Sequence, residues 1–244
     1  MKNSSFGRLA MRLVVTLIAA GCAGQNRQTQ SDIPKVIVKK IAILPIKEPR
    51  TFTLGNRIGP FALLPGAGLW SGLGMAEKSK QFAVKMDEFN LTLGREMTQA
   101  LSDNLGRHGF ESVILTDNKV RANPENPAEI RYHRIVTDAD AILNVWIKEA
   151  GAFSVLSSVA YQPQLNLEVR LVSKLSEESL YKLSIDYGAN SGKTGYDSIP
   201  SDPKYRYKDY DAIMGKLPEL VEALHVGAQA LAHQIASQIG SSLK

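Results

Sequence analysis

"LNLEVRLV", residues 165–172, decides the fold. Leu165, Leu167, Val169 and Leu171 alternate with Asn166, Glu168 and Arg170, the period of a strand whose side chains point to opposite faces of a sheet. One apolar set and one polar set predict an antiparallel sheet with a single buried face. Its neighbours repeat the pattern. In "AILNVWIKEAGAF" (141–153) Leu143, Val145 and Ile147 alternate with Asn144, Trp146 and Lys148, and in "YKLSIDY" (181–187) Tyr181, Leu183, Ile185 and Tyr187 oppose Lys182, Ser184 and Asp186. The outward Glu168, Arg170, Lys182 and Asp186 are expected to form solvated cross-strand charge pairs.

Farther out the period becomes helical. Between about Glu77 and Arg107, the residues Phe82, Met86, Phe89, Leu93, Met97, Ala100, Leu101 and Leu105 recur at three and four, with Asn90 as a candidate break and Gly106 and Gly109 as the stop. A second stripe runs through Ile213, Leu217, Leu220, Val221, Leu224, Ala228, Leu231, Ile235 and Ile239 to Gly240, with Pro218 marking a fresh helix start. "VIVKKIAILPI" (36–46), ending at Pro45, and "FESVIL" (110–115) read as further strands. The expected class is α/β (α+β): a two-layer sandwich, with a mainly antiparallel sheet and two long helices packed on one face. It fills one domain, residues 36–244.

Residues 55–76 read as a glycine-rich apolar insertion in that domain. Its centre, "GPFALLPGAGLWSGLGMA" (59–76), has no charged residue. Gly66 and Gly68 suggest a dinucleotide loop, but position 71 is serine, and such a loop must follow a strand tightly and open a helix. Two readings stay open: a loop packed on the domain, or an apolar surface through which Leu69, Trp70 and Leu73 meet a membrane or another copy of the chain.

Several short motifs promise chemistry and fail on context. "GANSGKTG" (188–195) has three residues between Gly188 and Gly192 where a phosphate loop needs four, and Gly195, Pro200 and Pro203 forbid the helix that must follow. Those glycines are better explained as turn residues. Ser102-Asp103-Asn104, Ser179 with Lys182, Lys193-Thr194-Gly195 and Ser201 with Lys204 resemble the motifs of penicillin-binding enzymes, yet they stand in the wrong order and on the wrong elements. His225 and His233 are eight apart, not the four that places two ligands on one helix face. No metal, cofactor or catalytic residue is therefore expected.

"YDSIPSDPKYRYKDY" (196–210) is the remaining binding candidate. Tyr205, Arg206, Tyr207 and Tyr210 combine rigid aromatics with cations, as protein interfaces do. The competing explanation is a loop whose tyrosines pack on the sheet edge or the last helix.

The first residues settle the compartment. Lys2, Arg8 and Arg12 precede the apolar run Leu13 to Ala20, and Gly21-Cys22 follows. This is an export signal over residues 1–21, too short for the roughly 20 apolar residues of a spanning helix. Cys22 is the only cysteine in the chain, so a disulfide is impossible. Small residues before Cys22 resemble a bacterial lipoprotein box, which implies cleavage there and fatty acylation, palmitate included, of the new N-terminus. Ala19 stands where that box usually has leucine. Ala23 follows the cysteine in place of the aspartate that retains such proteins in the inner membrane, so the resemblance implies the outer membrane, facing the periplasm, or the cell membrane of a host that has no outer one. "AGQNRQTQSDIPK" (23–35) then reads as part of a flexible tether over 22–35. Loss of residues 1–21 takes three of the 29 basic residues and no acidic one, leaving 26 against 24 and a formal charge of +2. So balanced a surface gives no reason to expect nucleic acid as a partner, and an exported chain meets no nucleotide supply.

The order of tether, "KKIAILPI", "LGREMTQALSDNLGRHGF", "DADAILNVWIKEAG", meander and long helix resembles the domain of curli-secretion lipoproteins and penicillin-binding-protein activators. That resemblance implies a non-enzymatic envelope lipoprotein, held to the membrane by its lipid, which binds an envelope protein or assembles as a homo-oligomer. A subunit of an outer-membrane export apparatus is the alternative, and an envelope hydrolase the third. Replacing Cys22 with serine is expected to move the protein from the membrane to the soluble fraction and to remove the acyl mass, read by fractionation and intact-mass measurement.

Overall fold

Alternation along the central strand sets the arrangement of everything beside it. The computed structural model describes residues 37–56, 67–116, 130–154, 160–189 and 195–243, with side chains from residue 74 in its first helix. In chain order the elements are β1 (Lys40–Ile43), β2 (Thr53–Asn56), α1 (Ala67–Asp87), α2 (Leu93–Arg107), β3 (Glu111–Ile114), β4 (Ala141–Ser154), β5 (Tyr161–Ser173), β6 (Ser179–Gly188), β7 (Asp197–Ile199), α3 (Tyr210–Met214) and α4 (Leu217–Ser242). The sheet order is β3-β1-β4-β5-β6-β7, and β2 pairs with the far end of β4.

β5 lies between β4 and β6 in two long antiparallel ladders. Its Leu165, Leu167, Val169 and Leu171 enter the main core together with Leu143, Val145, Ile185 and Tyr187. Each such aliphatic side chain contributes about 1.5–3 kcal/mol when fully withdrawn from water. The helices cover this face, as the two stripes require, so the α+β sandwich stands. α1 adds Phe82 and Met86, α2 adds Met97, Leu101 and Leu105, and α4 adds Leu224, Leu231, Ile235 and Ile239.

The helical period breaks where Asn90 takes a positive φ of 48°, a conformation asparagine tolerates. Phe89 falls in that break and is exposed rather than on the core stripe. α4 has Pro218 in its first turn, where a missing N–H costs nothing, and it runs through Gly240 to Ser242 instead of stopping at the glycine.

Four features depart from the sequence reading. Gly55 and Asn56 belong to β2, and helix α1 begins at Ala67, so the segment read as an insertion is shared between two regular elements; residues 57–66 lie outside the described ones. The flanking pairings β1–β3, β1–β4, β2–β4 and β6–β7 are parallel, in contrast to the two central ladders. The sheet is also covered on part of its second face, where Ala42, Leu44, Ile142 and Val172 pack against Ile130, Tyr132, Ile135 and Ala139. Fourth, the outward charges pair as expected only in part: Glu168 meets Lys148 across the β4–β5 ladder at 3.5 Å, whereas Arg170 stands opposite Lys182, and Asp186 is fully buried beside Asn166, which donates to its carboxylate.

α2 and α4 run in the same direction, since His225 meets Glu96 (2.7 Å) and His233 meets Asn104 (3.3 Å), each rung eight residues beyond the last on both helices. The histidines that carry no metal spacing thus bridge two helices. The start of α2 is held by Glu48, whose carboxylate accepts from Gly94 N (2.8 Å) and Arg95 N (3.0 Å), satisfying free amide groups and opposing the helix dipole. Thr98 Oγ1 accepts from Ile46 N and donates to Gly94 O.

Gly94 is buried so closely beneath the segment after β1 that a Cβ there would run into the Ile46 carbonyl. Gly106, on the same helix, has nothing within 4 Å of that position. Gly94→Ala is expected to lower stability by about 1–3 kcal/mol through overpacking, and Gly106→Ala to raise it by about 0.5–1 kcal/mol through helix propensity; denaturant midpoints of the two variants check both signs.

Candidate functional site

Among the described residues, β4, β5 and β6 are the strands long enough to build a surface on the face away from the helices. There the residues that alternate with the core form cross-strand rows: Asn144, Arg170 and Lys182 in one, and Trp146, Glu168 and Ser184 in the next. These rows line a hollow of about 260 Å³ made by Trp146, Glu168, Arg170, Lys182, Ser184 and the chain at Gly195. A bulge between Ile147 and Glu149 shifts the register just beyond it and leaves Lys148 near Glu168 at 3.5 Å.

Two features mark the hollow. Arg170 and Lys182 are directly opposed in the ladder, and Glu168 stands in the adjacent row of the same hollow. Trp146 is nearly buried in the wall, and its indole N–H has no hydrogen-bond acceptor among the described residues. Below the hollow, Asn144 Nδ2 donates to the Tyr132 hydroxyl at 3.2 Å, and burial pushes that phenol above its usual range. Asp186, Asn166 and Gln164 continue the outer face as a fully buried polar row.

The tyrosine segment behaves differently from its composition. Tyr205 and Tyr207 are each only 2% exposed, which withdraws them from a partner's reach, whereas Arg206 and Tyr210 stay nearer the surface. Tyr205 OH donates to Glu222 at 2.7 Å, and Lys204 lies over the Tyr205 ring at 4.5 Å while pairing with the same carboxylate. Tyr207 exchanges backbone bonds with Tyr161, adding a bridge at the sheet end, but its buried hydroxyl has no partner among the described residues. Tyr210 OH donates to Gln81 at 3.1 Å, and Lys78 approaches its ring at 5.1 Å. Burial, followed by the neighbouring Tyr205 and Asp202, pushes Tyr187 up to about 12.

Other sequence candidates fall elsewhere. Cys22 and Lys193-Thr194 lie outside the described residues, as do the side chains of Leu69, Trp70 and Leu73, whose backbone belongs to α1. No helix among the described residues is long and apolar enough to cross a membrane, and no group of three metal-ligating side chains occurs among them. The hollow was not read from the sequence, although its alternating polar set was in view; the signal is the opposition of Arg170 and Lys182, which needs the register.

No family model matches the chain, and no curated protein matches it. Similarity does extend to solved structures. The lipoprotein GNA1162 of Neisseria meningitidis is 13% identical, with 63% of this chain and 88% of that chain covered at a TM-score of 0.33. Protein XCC0632 of Xanthomonas campestris is 7% identical over 86% of this chain and 87% of that one, at 0.41. The PelC dodecamer of Paraburkholderia phytofirmans is 10% identical over 85% and 89%, at 0.34. At these identities and scores the likenesses bear on neither the activity nor the assembly of this chain, and none of the three carries the curli-secretion or activator description that the sequence pattern suggests.

The two buried tyrosines separate by one atom each. Tyr205→Phe is expected to lower the melting temperature, because Glu222 loses one of its two donors and keeps only Lys204, whereas Tyr207→Phe leaves it unchanged or raises it, because an unsatisfied buried hydroxyl is removed. Thermal unfolding of both variants checks the opposite responses.

Proposed function

We propose that this chain is a non-enzymatic, lipid-anchored binding module of the bacterial envelope, located on the outer membrane and facing the periplasm. The observation that carries the reading is Cys22, the single cysteine of the chain, set directly behind a charged and apolar leader and small residues. A lipid there fixes the compartment, and a polar tether leaves the domain free to meet a neighbour.

The hollow on the outer face supports the binding half of the reading. Its opposed Arg170 and Lys182 suit a carboxylate side chain of an envelope protein, with Trp146 as a flat wall beside it. Charged recognition of this kind asks for no cofactor and no covalent step.

A photo-crosslinking residue placed at Lys182, on the rim, is expected to trap one defined envelope protein in intact cells, and the same residue at Lys85 on α1 is not. Lys182→Gln is expected to weaken that capture while gaining about 0.2–1 kcal/mol of stability from relief of the like-charge pair. Adducts only between copies of the chain would replace this reading with that of an oligomeric export subunit; no adduct from either position would overturn the binding role.

A further inference from the structure

Among the described residues, the strand order ends at β3 on one side and at β7 on the other. β7 is protected, because it is three residues long and Pro200 follows it without an N–H to offer. β3 carries neither proline nor lysine, the usual devices against edge pairing. Its ladder with β1 is parallel, and Glu111 N and Leu115 N donate to Lys39 O and Ile43 O at 2.9 and 3.0 Å. Alternate residues of such a strand turn their backbone groups to the same neighbour, so Glu111, Val113 and Leu115 are committed to β1. Ser112 and Ile114 present N–H and C=O to the other side, where no strand among the described residues meets them. Both are only partly buried.

The surroundings of this edge are self-complementary. On one face Val113 and Leu115 are partly buried against the second small core, whose apolar rim therefore ends at the edge. On the other face α2 runs back along β3: Ser112 Oγ donates to Ser102 O at 3.1 Å and lies 2.8 Å from Ser102 Oγ. Arg95, seven residues before Ser102 and so on the same helical stripe, is exposed. Asp103 is exposed as well, and Gln99 donates to it at 2.9 Å. Neither charge has an opposite one paired with it among the described residues. A strand rises about 3.3 Å per residue and a helix about 1.5 Å, which sets Val113 level with α2 near Gln99. Arg95 and Asp103 stand four residues to either side of Gln99. A two-fold axis at Val113 thus turns Arg95 of one copy toward Asp103 of the other.

We propose that two copies of this chain pair along β3, antiparallel and centred on Val113, and join their sheets into one. In that register Ser112 of each copy lies opposite Ile114 of the other, and both pairs exchange their backbone bonds. The two Val113 side chains meet at the non-hydrogen-bonded position between them, and the two second cores become continuous. An unrelated extended segment could use the same backbone groups; the even spacing of Arg95 and Asp103 about Gln99 selects a second copy, because only a two-fold makes each charge answer the other. β3 lies at the edge away from β6, so the pairing leaves the hollow of β4, β5 and β6 open.

Acylation consumes the thiol of Cys22, so an introduced cysteine can be followed alone. The full acylated protein carrying Val113→Cys is expected to form a disulfide-linked dimer on mild oxidation, since the Cα atoms of such an antiparallel pair are about 4.5 Å apart, within disulfide reach. Val226→Cys on α4 and the unsubstituted chain are expected to form none. Ile114→Pro removes an outward N–H but no bond to β1, and is expected to lower the dimer fraction severalfold, read as mass in detergent, with the melting temperature unchanged. Arg95→Asp is expected to weaken the dimer and the further change Asp103→Arg to restore it. A monomeric mass for the unsubstituted chain, a disulfide dimer no more abundant from position 113 than from 226, or a charge exchange that restores nothing overturns the pairing. Circular dichroism of each variant confirms that it is folded.

Discussion

The pleat of β5 constrains the molecule more than any other single feature. With both neighbours antiparallel and in register, every second residue must face the helices, and the residues between have no choice but the opposite face. A slip of one position would bury Asn166, Glu168 and Arg170 under α2 and α4 and expose four aliphatic side chains. The main core, the helix seats and the outer hollow all follow from that single register.

Helices α2 and α4 are secured to each other as well as to the sheet. Glu96–His225 and Asn104–His233 place polar rungs along a seam whose remaining contacts are aliphatic. Oil-like contacts alone allow one helix to slide along another; two rungs at equal spacing admit a single offset. Glu48 and Thr98 then lock the start of α2 to the segment leaving β1, so strand, helix and helix form one connected frame.

The outer face answers to different physics. It combines a buried polar row at Asp186, Asn166 and Gln164 with a charged hollow at Arg170 and Lys182.

Local pattern determined a large part of this chain: which faces of β4, β5 and β6 turn inward, the break near Asn90 and the helix start at Pro218. Each of these is a property of neighbours along the chain, where covalent geometry imposes periods of two and 3.6. Tertiary structure alone decided the parallel flanking pairs, the second small core around Tyr132, the burial of Tyr205 and Tyr207, the partners of His225 and His233, and the hollow. Those depend on residues brought together from more than a hundred positions apart in some cases, as Glu96 and His225 are, and no periodicity records which distant segment a side chain will meet. The same tyrosines that read as a surface motif become core because β5 offers Tyr207 a backbone partner at Tyr161, a contact that exists only once the sheet has closed.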